Sequence, residues 1–123
     1  MTVKFETLKE WFLKLDSTYN INTRFQTGTG YYNKDKHYLD LEITRYRSIK
    51  TDKRNSLYLR YWEGSDELSI TYNEDLYDND RDTYESFIND DDVLNLNGIT
   101  TYENFINKIN KFCQDSHDRW TQH

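Results

Sequence analysis

The sequence predicts a single α+β domain over residues 1–123. It has an N-terminal helix, a three- to four-stranded antiparallel meander sheet, a short helix and a long C-terminal helix, with the helices on one face of the sheet. Three observations predict this. Apolar residues recur at helical spacing near both ends of the chain, they alternate with period two in the middle, and the joints between the alternating runs are short.

From the N-terminus, Phe5, Leu8, Trp11, Phe12 and Leu15 fall at helical spacing, with Lys4, Glu6, Lys9, Glu10 and Lys14 between them. That pattern predicts a helix over about 3–16. Asn22 to Tyr32 is rich in Thr and aromatics and contains Gly28 and Gly30, which reads as a strand with a bulge or a strand interrupted by a turn. His37 to Arg47 alternates: Leu39, Leu41 and Ile43 share one face, while Tyr38, Asp40, Glu42, Thr44 and Tyr46 share the other. Leu57, Leu59 and Tyr61 repeat the pattern, and after a Glu63-Gly64-Ser65-Asp66 turn so do Leu68, Ile70 and Tyr72. One apolar face per strand describes an antiparallel sheet packed on one side. A short helix is expected to start near Asp82, where Asp82 and Glu85 form a cap pair ahead of Tyr84, Phe87 and Ile88. Thr100 with Glu103 fits a capping box, and Tyr102, Phe105, Ile106, Ile109, Phe112 and Cys113 then line one face of a helix over about 101–115.

A chain of 123 residues buries roughly two thirds of its unfolded surface. Its eleven Tyr, six Phe and three Trp supply the buried area that low hydropathy would otherwise deny it. No long apolar run suggests a membrane span, and Met1 to Glu6 lacks the apolar core of a signal peptide. One cysteine, Cys113, cannot pair within the chain, which fits a reducing cytoplasm. Alanine and proline are absent while Asn, Lys, Ile and Tyr abound. That bias points to an AT-rich genome, such as a low-GC bacterium or one of its phages or plasmids.

Charge is the strongest functional signal. Between Glu63 and Asp92 there are twelve carboxylates and one cation, Arg81, whereas residues 1–62 carry twelve Lys/Arg against seven Asp/Glu. Within residues 73–92 the carboxylates are interleaved with Tyr72, Leu76, Tyr77, Tyr84, Phe87 and Ile88, so the segment is expected to be pinned to the body. One reading is a solvated acidic surface. The sharper one is a phosphate mimic, in which carboxylates on a fixed scaffold imitate the charge ladder of DNA and occupy a Lys/Arg groove built for it. By position, the contact residues are Glu74, Asp75, Asp78, Asp80, Asp82 and Glu85, with Tyr77 and Tyr84 as anchors and Asp90, Asp91 and Asp92 next.

Other chemistries fit less well. Asp78, Asp80 and Asp82 match the start of a calcium loop, but Thr83 replaces its glycine and Asn89 stands where a bidentate Glu is needed, so no metal site is expected. Arg24, Arg45, Arg47, Lys50, Lys53, Arg54 and Arg60, interleaved with Tyr31, Tyr32, Tyr46, Tyr58 and Trp62, could grip single-stranded nucleic acid. They are read instead as an exposed sheet face partly paired with Asp40, Glu42 or the acidic segment. The two halves could also meet head to tail between copies, giving homo-oligomers at low salt. Cys113 and His117 are four apart, but Cys113 continues an apolar stripe and reads as a core residue. His37, His117 and His123 are scattered. Asp40 and Glu42 lack the following lysine of a nuclease strand, and no phosphate loop, zinc spacing or serine-nucleophile turn is present. Neither catalysis nor a cofactor is expected.

In size, acidity, Tyr- and Asn-rich composition and helix–sheet–helix layout, the chain resembles the small acidic inhibitors encoded by phages of low-GC Gram-positive hosts. Anti-CRISPR proteins that block Cas9 are among them. The resemblance is one of style and carries no motif from residue to residue. It implies an acidic face occupying a channel or PAM-reading site where arginines contact DNA, hence a basic nucleic-acid enzyme such as a CRISPR effector as partner. A bacterial immunity or antitoxin protein neutralising a basic nuclease toxin would use the same electrostatics.

Overall fold

A computed structural model describes residues 3–31, 34–47, 49 and 53–121, with the backbone alone described at Asp78. Tyr32, Lys50 and His123, named above, lie outside the described residues. The chain runs α1 (Phe5–Tyr19), a single 3₁₀ turn (Asn20–Asn22), then β1 (Thr23–Thr29), β2 (His37–Ile43), β3 (Arg54–Trp62), β4 (Glu67–Asp78), β5 (Thr83–Asn95) and α2 (Tyr102–Thr121). The strands form one antiparallel sheet in sequential order, β1-β2-β3-β4-β5. The class is α+β.

Register follows the alternation. Ile43, Leu57 and Tyr72 lie side by side, as do Leu41, Leu59 and Ile70, so the apolar set of each strand meets that of its neighbour on one face. Leu8, Trp11, Phe12 and Leu15 of α1 and Phe105, Ile109 and Cys113 of α2 close over this face. The Phe105 ring lies 5.4 Å from Trp11 and 6.1 Å from Phe12, joining the two helices in an aromatic core. The turn after β3 turns at Gly64, whose φ of 86° suits a residue without a Cβ.

The structure corrects four expectations. The sheet has five strands, and the segment expected as a short helix is β5. The helix-like spacing of Tyr84, Phe87 and Ile88 comes from a break in register: Glu74 pairs with Ile88 and Asp75 with Ser86, leaving Phe87 as the extra residue of a bulge. Asp82 and Glu85 do not cap a helix. Asp82 sits at φ 51° in the β4–β5 turn and accepts a hydrogen bond from the Tyr77 hydroxyl, while Glu85 takes Arg81 at 2.8 Å. At α2 the cap is one residue later than expected, with Asn104 N–H donating to Thr101 Oγ1 at 3.1 Å, and the helix runs on to Thr121. Finally, the alternation of β2 ends at Ile43. Beyond it Tyr46 is fully buried, its ring 5.4 Å from Tyr19 and its hydroxyl donating to Asn110 Oδ1.

Candidate interaction hairpin

β4 and β5 are the longest strands, at 12 and 13 residues. Their inner face buries Leu68, Ile70, Tyr72 and Glu74 of β4 with Ile88 and Leu94 of β5; past the bulge the ribbon leaves the body. Leu76, Tyr77 and Tyr84 are consequently 45%, 46% and 47% exposed. Tyr77 and Tyr84 face each other across the ladder with rings 5.2 Å apart at 59°. Arg54 on β3 reaches under this pair. Its guanidinium lies 4.2 Å from the centre of the Tyr84 ring, and its Nη2 lies 3.2 Å from Asp75 Oδ2. Lys53 Nζ sits 4.0 Å from the centre of the Phe87 ring. The turn is closed by the Tyr77–Asp82 hydrogen bond. A ribbon held at its base by two cations and at its tip by a side-chain bond presents Asp80, Asp82 and Glu85 in a defined arrangement beside two tyrosine rings.

The other nominated carboxylates lie elsewhere. Glu74 is fully buried and offers nothing to a partner; its Oε2 accepts from the Tyr72 hydroxyl at 2.7 Å and meets His117 Nδ1 at 2.7 Å. Asp90 points to the inner face, where it accepts from Ser116 Oγ and pairs with Arg119. Asp92 lies on that same side, opposite Ile70, and with Asp90, Arg119 and Trp120 borders an open cavity of about 450 Å³. Asp91 is on the opposite face, accepting from Thr71 Oγ1 at 2.5 Å. The acidic segment is therefore divided between the core, the two faces of the sheet and the hairpin tip, because successive residues of a strand point to opposite sides.

The sheet cations are likewise partly neutralised. Arg60 grips Asp40 with two bonds, Nε–Oδ1 at 2.8 Å and Nη2–Oδ2 at 2.9 Å. This bidentate bond raises the Arg60 pKa above its ordinary value. Burial, then the Asp40 charge, raises the pKa of neighbouring Tyr58. Together with Arg54–Asp75, these pairs fit the reading of an exposed sheet face partly paired with Asp40 and the acidic segment.

Sequence reasoning missed the buried polar cluster beneath the hairpin. Glu74 and His117 are 43 residues apart and only the fold brings them together. Asn55 Nδ2 donates to Ile49 O at 3.2 Å and to the Tyr72 hydroxyl at 3.5 Å, while burial and the bond to Glu74 push the Tyr72 pKa up. Burial and then the Glu74 charge also raise the Cys113 thiol, which is fully inaccessible. A buried thiol held neutral is no nucleophile, so Cys113 and His117 do not form a catalytic pair. Among the described residues, no group of three or more His, Cys, Asp and Glu side chains is placed to hold a metal ion. None of the described helices is long and apolar enough to cross a membrane.

No family model matches the chain, and neither a curated protein nor a solved structure matches it.

Proposed function

We propose that the protein is a non-enzymatic inhibitor that inserts its acidic β4–β5 hairpin into the nucleic-acid site of a basic enzyme, acting as a local mimic of DNA phosphates. The observation that carries this reading is the braced tip. From Leu76 to Glu85 there are four carboxylates against one cation, a net of −3, beside the exposed rings of Tyr77 and Tyr84. Carboxylates supply steering and charge pairing, while rings that lose little entropy on docking supply contact area. The other nominated carboxylates are divided between the core and the two faces of the sheet, so the mimicry is confined to the hairpin tip. Such a plug suits a short arginine-lined reader, as at the PAM site of a CRISPR effector such as Cas9, better than a long duplex channel.

The test is displacement. Fluorescence anisotropy of a labelled PAM duplex bound to Cas9 and its guide RNA is expected to fall as the protein is added. The effect should weaken when salt rises and be lost with Asp80→Asn, Asp82→Asn and Glu85→Gln combined. Unchanged anisotropy at every protein concentration would reject the assignment to this enzyme class. The same titration with a cationic bacterial nuclease separates an effector inhibitor from an immunity protein.

A further inference from the structure

Among the described residues, no second layer covers the face of the sheet turned away from the helices, and at the corner farthest from the hairpin tip this face forms a cleft of about 350 Å³. Gln26, Tyr31, Tyr38, Asp40, Arg60 and Trp62 line it. Strand pairing builds it row by row. Gln26, Asp40 and Arg60 are neighbours across β1, β2 and β3, and the adjacent row is Gly28, Tyr38 and Trp62. The Tyr38 ring passes over Gly28, within 3.4 Å of where a Cβ would stand. The rings of Tyr38 and Trp62 stand 5.6 Å apart at 56°, an open V rather than a stack. Trp62 is 38% exposed and Tyr31 86%.

We propose that this cleft binds a neutral carbohydrate, with one sugar ring lying against the indole of Trp62. Charge decides against the other ligand classes. Among the described residues, Asp40 and Arg60 are the charged groups lining the cleft, and they are joined by two bonds. An anionic ligand would have to compete with Asp40 for Arg60, and a cationic one with Arg60 for Asp40. A neutral polyol meets no such penalty. The remaining Arg60 N–H groups and the Gln26 Nε2 group donate to hydroxyls, and the Gln26 carbonyl oxygen accepts from them. The flat C–H face of a pyranose covers exposed aromatic surface that water solvates poorly. The volume falls at the small end of ligand-sized cavities, and a small uncovered site of this kind gives modest affinity. This inference is independent of the hairpin and stands or falls separately from it.

The experiment is an NMR titration of the ¹⁵N-labelled full chain, following the indole N–H of Trp62, assigned with Trp62→Phe. Cellotetraose and chitotetraose are the probes, and octathymidylate and adenosine the controls. At least one sugar is expected to shift Trp62 saturably with half-saturation near about 1 mM, while Trp120, which is comparably exposed, stays still. Gln26→Ala, on the solvent side of an edge strand, is expected to weaken that sugar about tenfold or more with the spectrum otherwise intact. No movement of Trp62 at about 10 mM of either sugar would overturn the proposal. So would equal movement of Trp120, which signals non-specific contact. A shift with octathymidylate or adenosine but with neither sugar would overturn it in favour of a base-stacking site.

Discussion

Replacing His117 by alanine tests the buried polar cluster that joins α2 to the base of the hairpin. In the native protein Glu74 is fully buried, and its Oε2 is shared by Tyr72 and His117. Its Oε1 has no protein partner among the described residues. Removing the imidazole leaves the carboxylate with the Tyr72 hydroxyl alone. Leaving a buried polar group short of its partner costs about 1–3 kcal/mol, and more for a charged one, when water stays out. The His117 side chain, however, is 22% exposed, so water can enter the vacated space and the expected loss falls to about 2 kcal/mol. With a urea m-value of about 2 kcal/mol/M for a domain of this size, the unfolding midpoint drops by about 1 M. Tryptophan fluorescence and far-UV circular dichroism, followed together, check that the transition stays two-state. Glu74→Gln removes the charge while keeping the shape, so in that background His117→Ala is expected to cost less than about 0.5 kcal/mol, a coupling above about 1 kcal/mol. Equal losses in both backgrounds would refute the argument that the imidazole compensates a buried charge.

Cys113, buried and held neutral, is expected to resist alkylation by iodoacetamide at pH 8 in the native state and to react once urea unfolds the chain; native labelling at a free-thiol rate would contradict the packing. Phe105→Ala, which removes the ring shared by both helices, should destabilise by about 3–5 kcal/mol in the same urea assay. Arg54→Ala should cost below about 1 kcal/mol of stability, since its guanidinium is half exposed, yet weaken displacement of the PAM duplex by freeing Tyr84. Glu63 lies beside His37, whose side-chain and backbone N–H groups lower its pKa. A depressed carboxylate pKa contributes stability above the unfolded-state value and loses it as pH falls through the folded one. An NMR titration of Glu63 should therefore show a midpoint below the ordinary glutamate range, returning toward it in His37→Ala.

Much of the fold was legible because one-sided burial writes itself into spacing. Leu39, Leu41 and Ile43 announce a strand, and Phe105, Ile109 and Cys113 a helix, with no knowledge of their partners. The stretch from Asp82 to Ile88 was misread because a bulge inserts one residue into a period-two pattern, turning the spacing of Tyr84, Phe87 and Ile88 into a helix-like one. Bulges depend on the neighbouring strand and leave no local mark. The acidic segment was legible as charge but not as a surface. Alternation of side chains sends Glu74 and Asp90 inward, where His117 and Arg119 meet them, and those partners come from a helix more than 25 residues away. Tyr77 and Tyr84 were nominated individually, but their pairing across the hairpin needed the register.

In the proposed mode of action the hairpin tip is the element that meets the partner. Hydrogen–deuterium exchange of the full chain, with and without Cas9 bound to its guide RNA, reads this most directly. Slowed exchange at the backbone amides between Leu76 and Glu85, with β1, β2 and α1 unaffected, is the expected result. Protection centred on the β1–β3 face, or none anywhere while the two proteins are bound, would contradict it.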